Sequence, residues 1–148
     1  MDLKNIIRNI PDYPIEGVLF RDITTVLKDK DALKYSVDEI IKNLENIEFD
    51  YILGPESRGF IFAMPIAYNM NKGFIPVRKA GKLPAETISQ KYDLEYGSAT
   101  LEIHKDALKK GDKVIIIDDL LATGGTCKAI VELVESIGAE VVSLNFFI

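Results

Sequence analysis

Two neighbouring carboxylates, Asp118 and Asp119, follow the apolar run Val114-Ile115-Ile116-Ile117 and precede Leu120-Leu121-Ala122-Thr123-Gly124-Gly125-Thr126. Residues of these types in this order suit recognition of a phosphorylated sugar. Adjacent acids accept hydrogen bonds from a pair of sugar hydroxyls. The stretch Ala122 to Thr126 has no bulky side chain. Its glycines reach positive φ, and its amides and the Thr123 and Thr126 hydroxyls can close around an anion. A helix opening directly after it adds a partial positive end. A Gly/Thr turn alone, or an acid pair alone, is ordinary connection chemistry, and the ordered combination is far more specific. Neither G-x-x-x-x-G-K-[ST] nor G-x-G-x-x-G occurs in the chain, which removes the Walker loop and the dinucleotide fingerprint.

Three further clusters carry polar chemistry. In Gly54-Pro55-Glu56-Ser57-Arg58-Gly59-Phe60, small residues and one arginine follow an apolar strand and suit anion binding. The plain alternative is a Gly-Pro turn with Ser57 capping a helix and Arg58 in solvent. Pro76-Val77-Arg78-Lys79-Ala80-Gly81-Lys82-Leu83-Pro84 gathers Arg78, Lys79 and Lys82, either to grip a pyrophosphate or as a solvated basic turn. Leu94-Glu95-Tyr96-Gly97 sets an acid beside an aromatic, suited to handling a proton on a closing loop. His104, the only histidine, alternates as an ordinary strand position. Cys127 lies in the first turn of a helix, where a thiol pKa tends to fall, and reads as a small packing residue.

The elements that must hold these clusters follow from periodicity. Val114 to Ile117 reads as a buried parallel strand, and Ala129, Ile130, Leu133, Val134 and Ile137 mark one face of the next helix, with Gly138 at its C′ position. Met1 to Ile10 reads as a short amphipathic helix ended by Pro11 and Pro14, and Val18 to Asp22 as an extended piece. The apolar spacing from Asp31 to Ile47 predicts an amphipathic helix. Tyr51 to Gly54 and Phe74 to Val77 read as strands, and Gly59 to Met70 as an apolar helix kinked or restarted near Pro65. The polar stretch 78–110 offers two weak strands, Ser89 to Tyr96 and Ala99 to His104, and Val141 to Ile148 is an apolar strand. Strands alternating with helices predict an α/β fold with a mostly parallel central sheet.

The chain has 148 residues, 47% hydrophobic and 28% charged, enough for one packed domain. A net charge of −5 argues against a broad basic surface for nucleic acid. One cysteine rules out an intrachain disulfide and points to a reducing compartment. The sequence shows no signal peptide and no apolar run of membrane-spanning length, so the expectation is a cytoplasmic protein.

Asp118 to Thr126 resembles the phosphoribosyl pyrophosphate signature of the type I phosphoribosyltransferases. Phe20-Arg21-Asp22 and the three further clusters resemble the same family across nearly the whole chain. The Arg-Lys-x-Gly-Lys-Leu-Pro and Leu-Glu-Tyr-Gly pieces resemble its adenine-using members or close purine relatives of them. The resemblance implies the type I fold, with a small N-terminal hood over residues 1–30 and a flexible lid loop over 78–110, in one domain that is C-terminally short relative to the family. It implies transfer of phosphoribosyl from phosphoribosyl pyrophosphate to adenine, giving AMP and pyrophosphate, in purine salvage. It assigns the 5′-phosphate to Ala122, Thr123, Gly124, Gly125 and Thr126, and the ribose to Asp118 and Asp119. Ser57, Arg58, Arg78, Lys79 and Lys82 are assigned to pyrophosphate, with a cis peptide expected near Ser57. Val18, Phe20, Arg21 and Leu120 are assigned to adenine, and Glu95, Arg58 and Tyr96 to catalysis. Magnesium is implied as a companion of the substrate, without direct protein ligands, and a homodimer as the assembly. An oxopurine-using enzyme, a ligand-sensing regulator and an inactive subunit remain as alternative readings.

Overall fold

The computed structural model describes residues 1–94, 97–121 and 124–148. By contacts they form two compact units, residues 1–43 and 44–148.

In the first unit a single 3-10 turn (Leu3–Asn5) is capped by Asp2, whose carboxylate accepts the Lys4 amide at 3.1 Å. The expected helix over Met1 to Ile10 does not form. The chain enters β1 (Arg8–Pro11), paired antiparallel with β2 (Leu19–Asp22). Ten residues give too few helical bonds to persist alone, whereas β2 supplies backbone partners and Asp22 pairs with the Arg8 guanidinium. The intervening loop turns through Asp12 (φ 54°), a cis Tyr13–Pro14 bond and Gly17 (φ 86°), and the Gly17 amide donates to the Asp12 carboxylate at 2.9 Å. A short helix, α1 (Thr24–Lys28), leads into α2 (Lys30–Leu44). Asp29 starts α2 by accepting the Asp31 and Ala32 amides, each at 3.0 Å.

The second unit is built on a six-stranded sheet in the order β5-β6-β4-β3-β7-β8. Strands β3 (Tyr51–Pro55), β4 (Gly73–Lys79), β7 (Lys113–Asp118) and β8 (Glu140–Phe146) are parallel. Two βα crossovers produce this, through α3 (Arg58–Met70) and α4 (Gly125–Ile137). Val114 to Ile117 are almost fully buried, as a central parallel strand requires. Val114 and Ile116 share a core cluster with Ala129, Ile130, Leu133 and Val134 of α4. The alternate residues Ile115 and Ile117 face the other side, where α3 packs against β3 and β7. Helix α3 runs through Pro65 without restarting and ends at Asn71 in the left-handed region. Gly138 (φ 89°) closes α4 at the expected position.

The sheet is mixed at one edge. β5 (Thr87–Asp93) and β6 (Ser98–His104) form an antiparallel hairpin, and β6 runs antiparallel to β4. The hairpin strands begin earlier than alternation predicts, and β5 is assigned only to Asp93, because pairing from Thr87↔His104 to Asp93↔Ser98 defines them. β8 ends at Phe146 rather than Ile148. Among the described residues, no helix is long and apolar enough to cross a membrane.

Candidate active site

At the end of β3 the backbone is pressed against its neighbours. A side chain at Gly54 would meet the Gly59 and Ile117 carbonyl oxygens at 3.1 Å. One at Gly59 would meet Pro55 Cδ at 2.7 Å. Only glycine lets the start of α3 lie this close to β3 and β7. The Glu56–Ser57 peptide is cis, at the turn where the resemblance places one. Ser57 makes no side-chain cap bond to α3. Arg58 pairs through Nε with Asp119 Oδ2 at 3.1 Å, so the capped-turn alternative is not what forms.

Glu56, which the sequence reading left without a role, ties this turn to the basic one. Its Oε1 accepts the Lys79 amide at 2.8 Å and Arg78 Nε at 3.2 Å, while its own amide donates to the Val77 carbonyl at 2.9 Å. The Lys79 amide, with Arg78 assisting, holds the Glu56 carboxyl below its ordinary value. An acid after β3 and cations at the end of the next strand, β4, were the signal, but the pairing exists only in the register of β3 with β4.

At the end of β7, Asp119 is buried and Asp118 half-buried. The Asp119 amide donates to Asp118 Oδ1 at 2.7 Å. Burial, with the neighbouring Asp119 adding to it, pushes the Asp118 carboxyl up to about 7. Backbone bonds from the last two residues hold this loop: Phe147 N–H to the Asp118 carbonyl at 3.2 Å, Ile148 N–H to the Asp119 carbonyl at 2.8 Å, and Leu121 N–H to the Ile148 carbonyl at 3.1 Å. Phe147 itself stacks on Phe62 of α3 at 5.0 Å between ring centroids. These contacts were invisible in the sequence, where the tail read as a plain apolar strand.

Gly124 (φ 85°) turns the chain into α4. A cavity of about 70 Å³ lies there, bounded by Asp118, Leu120, Gly124, Gly125 and Thr126. It suits a phosphate held against a helix N-terminus. A cleft of about 250 Å³ has Glu56, Arg58, Lys79, Asp118, Asp119 and Thr126 on its walls. The structure therefore brings together the acid pair, the start of α4, Arg58 and the first residue of the basic turn. Arg78 stands beside them through Glu56, and Lys82 follows Gly81 (φ 83°) in the turn. Burial and Asp118 push the Cys127 thiol up, which fits a packing residue and opposes a lowered thiol pKa.

Val18, Phe20 and Arg21 lie in the first unit, where Phe20 packs edge-on against Tyr13 at 5.1 Å, and Leu120 lies in the second. Ala122, Thr123, Glu95 and Tyr96 lie outside the described residues. Among the described residues no group of three or more His, Cys, Asp or Glu is placed to hold a metal. The two hard oxygen donors at the cleft, Asp118 and Asp119, fit a magnesium ion only as a partial set, with a ligand supplying the rest.

Residues 24–148 match the family described as the phosphoribosyl transferase domain. The adenine phosphoribosyltransferase of Lachnoclostridium phytofermentans is 61% identical over 144 residues, covering 97% of this chain and 83% of the relative. The crystal structure of adenine phosphoribosyltransferase from Thermoanaerobacter pseudethanolicus is 56% identical with a TM-score of 0.94, covering 97% of this chain and 84% of that one. The Saccharomyces cerevisiae enzyme, complexed with adenine and an imino-altritol bisphosphate, is 40% identical with a TM-score of 0.91, covering 97% and 84%. Sequence and fold agree over nearly the whole length, and the chain belongs to the adenine phosphoribosyltransferases, a pentosyl-transferring group within the phosphoribosyl transferase family.

Proposed function

We propose that this chain transfers the 5-phosphoribosyl group of phosphoribosyl pyrophosphate to adenine, giving AMP and pyrophosphate, in purine salvage. The observation that carries the reading is the single cleft in which Arg58, paired with Asp119, stands beside Asp118, Lys79 and Thr126 of the phosphate helix. Cations for a leaving pyrophosphate, acids for ribose hydroxyls and a helix start for a phosphate meet there. The yeast relative's complex with adenine and a sugar-like bisphosphate agrees with that set of ligands.

In this reaction the C1–O bond to pyrophosphate breaks and the bond from C1 to adenine N9 forms. Pyrophosphate leaves with the electron pair, and the sugar passes through an oxocarbenium-like state. No protein nucleophile is needed. Gly124, Gly125 and Thr126, with Ala122 and Thr123, hold the 5′-phosphate, and Asp118 and Asp119 hold the ribose hydroxyls. Ser57, Arg58, Arg78, Lys79 and Lys82 take the charge that develops on pyrophosphate. Glu95 accepts the proton the purine gives up, near N7, and Tyr96 helps exclude water. Val18, Phe20, Arg21 and Leu120 are the residues we assign to adenine. Asp118 and Asp119 would help hold magnesium brought in with the substrate, and the ion would supply charge neutralisation on the pyrophosphate. The stretch 78–110 acts as the lid and residues 1–30 as the hood.

The protein acts as a homodimer, for which the exposed stripe Ile61, Met64 and Tyr68 on α3 supplies an apolar face beside Arg58. A single protonated thiol suits the reducing cytoplasm. Pyrophosphate release measured with adenine, hypoxanthine, guanine or xanthine tests the assignment. Turnover with adenine alone is expected. Turnover with an oxopurine instead overturns the purine assignment, and none with any base overturns the activity.

A further inference from the structure

Glu102 sits in the middle of β6, opposite Arg78 of β4 on one side and Ser89 of β5 on the other. Its Oε1 accepts the Gly81 amide at 2.9 Å. Its Oε2 accepts the Thr87 and Ser89 hydroxyls, each at 3.0 Å. These donors, the Gly81 amide foremost, hold its carboxyl below the ordinary glutamate value. From the other side of the same turn Glu56 accepts the Lys79 amide. An acid near a basic turn usually pairs with an ammonium. Among the described residues, neither Glu56 nor Glu102 forms an ion pair with Lys79 or Lys82. Glu102 directs its charge at the Gly81 amide and the hairpin hydroxyls, and leaves the lysine charges for another anion.

We propose that Glu102 is a positioning residue that clamps the basic turn 79–82 to the β5–β6 hairpin, so that the pyrophosphate-binding lysines and the hairpin move and bind as one piece. The inference rests on the reading of Lys79 and Lys82 as pyrophosphate ligands. Gly81 at φ 83° joins the two lysines through a turn that carries an internal bond from Lys82 N–H to the Lys79 carbonyl at 3.3 Å. Ala80 N–H to the Thr100 carbonyl, at 3.1 Å, fixes the entry of the turn on β6. Glu102 fixes its apex, and a positioning error of about 1 Å at a reacting centre costs roughly a hundredfold in rate.

The test is steady-state kinetics on Glu102→Ala, Glu102→Gln and the double variant Lys79→Ala, Lys82→Ala. Glu102→Ala is expected to raise KM for phosphoribosyl pyrophosphate about tenfold, the scale of one lost charge-assisted hydrogen bond, with KM for adenine within about twofold. Glu102→Gln keeps an acceptor for Gly81 and a donor for the hydroxyls, and restores most of the loss. An unchanged KM for phosphoribosyl pyrophosphate in Glu102→Ala overturns the proposal. So does a joint rise in both KM values with a lowered Tm and no rescue by glutamine. If the lysine variant leaves that KM unchanged, the pyrophosphate reading of the turn fails and takes the proposal with it. If the lysine variant weakens binding and Glu102→Ala does not, the clamp alone fails. Should Glu102→Ala not fold, Thr87→Val with Ser89→Ala removes only the hairpin half of the clamp. That variant must raise the same KM by a smaller factor, and no rise overturns the proposal.

Discussion

Asp118 titrates at about 7 because burial and a second acid oppose its charge. The folded chain therefore binds a proton that the unfolded chain, at the ordinary value of 3.8, has already released. At this group, folding stability falls as pH rises from about 4 through 7, since the unfolded state then binds fewer protons. Ligand binding runs the other way. A carboxylate accepting ribose hydroxyls must be ionised, so affinity for magnesium phosphoribosyl pyrophosphate should rise between pH 6 and 8 and then level off. Calorimetric titration across that range checks it, and Asp118→Asn should flatten the profile while weakening binding at high pH. Gly59 makes a second prediction. Its Cβ would lie 2.7 Å from Pro55 Cδ, so Gly59→Ala should cost about 1–3 kcal/mol in chemical denaturation and displace Arg58 next to it. The acids, glycines and basic residues of the site were legible because their types alone constrain their chemistry. Glu56 and Glu102 were not, because each works by accepting backbone amides that only strand register brings within reach.

At the level of elements, local signals were read well where they are self-sufficient. β7 is an unbroken β-branched run, and α4 has an apolar stripe with Gly138 at its end. Both formed where periodicity places them. β1 and the β5–β6 hairpin were read poorly, because their strands are defined by partners distant in sequence: Arg8 pairs with Asp22, and Thr87 with His104. That hairpin lies on the sheet edge, anchored to β4 only at Arg78↔Glu102 and Lys79↔Leu101. Its edge strand β5 has no fully buried residue and opens at lower cost than β7. Hydrogen exchange over residues 79–104 should therefore slow when phosphoribosyl pyrophosphate and magnesium are added, with β3 and β7 unchanged. Equal protection with and without ligand would refute the lid assignment.

On the scale of the molecule, the α/β class and the largely parallel sheet followed from strand–helix alternation, while the antiparallel edge was added by the hairpin. The exposed stripe on α3 begins three residues after Arg58, so an interface there would touch the helix that carries the arginine. Met64→Glu with Tyr68→Glu should give a folded monomer in sedimentation with reduced turnover, and an unchanged dimer would move the interface elsewhere. The three backbone bonds that Phe147 and Ile148 make to the Asp118–Leu121 loop have a bearing on biosynthesis. β3, α3 and β4 emerge early and can pair while translation continues. The acid loop acquires these restraints only after residues 147 and 148 have cleared the ribosomal exit tunnel. A nascent chain can thus have its central strands paired while the acid loop still lacks these restraints.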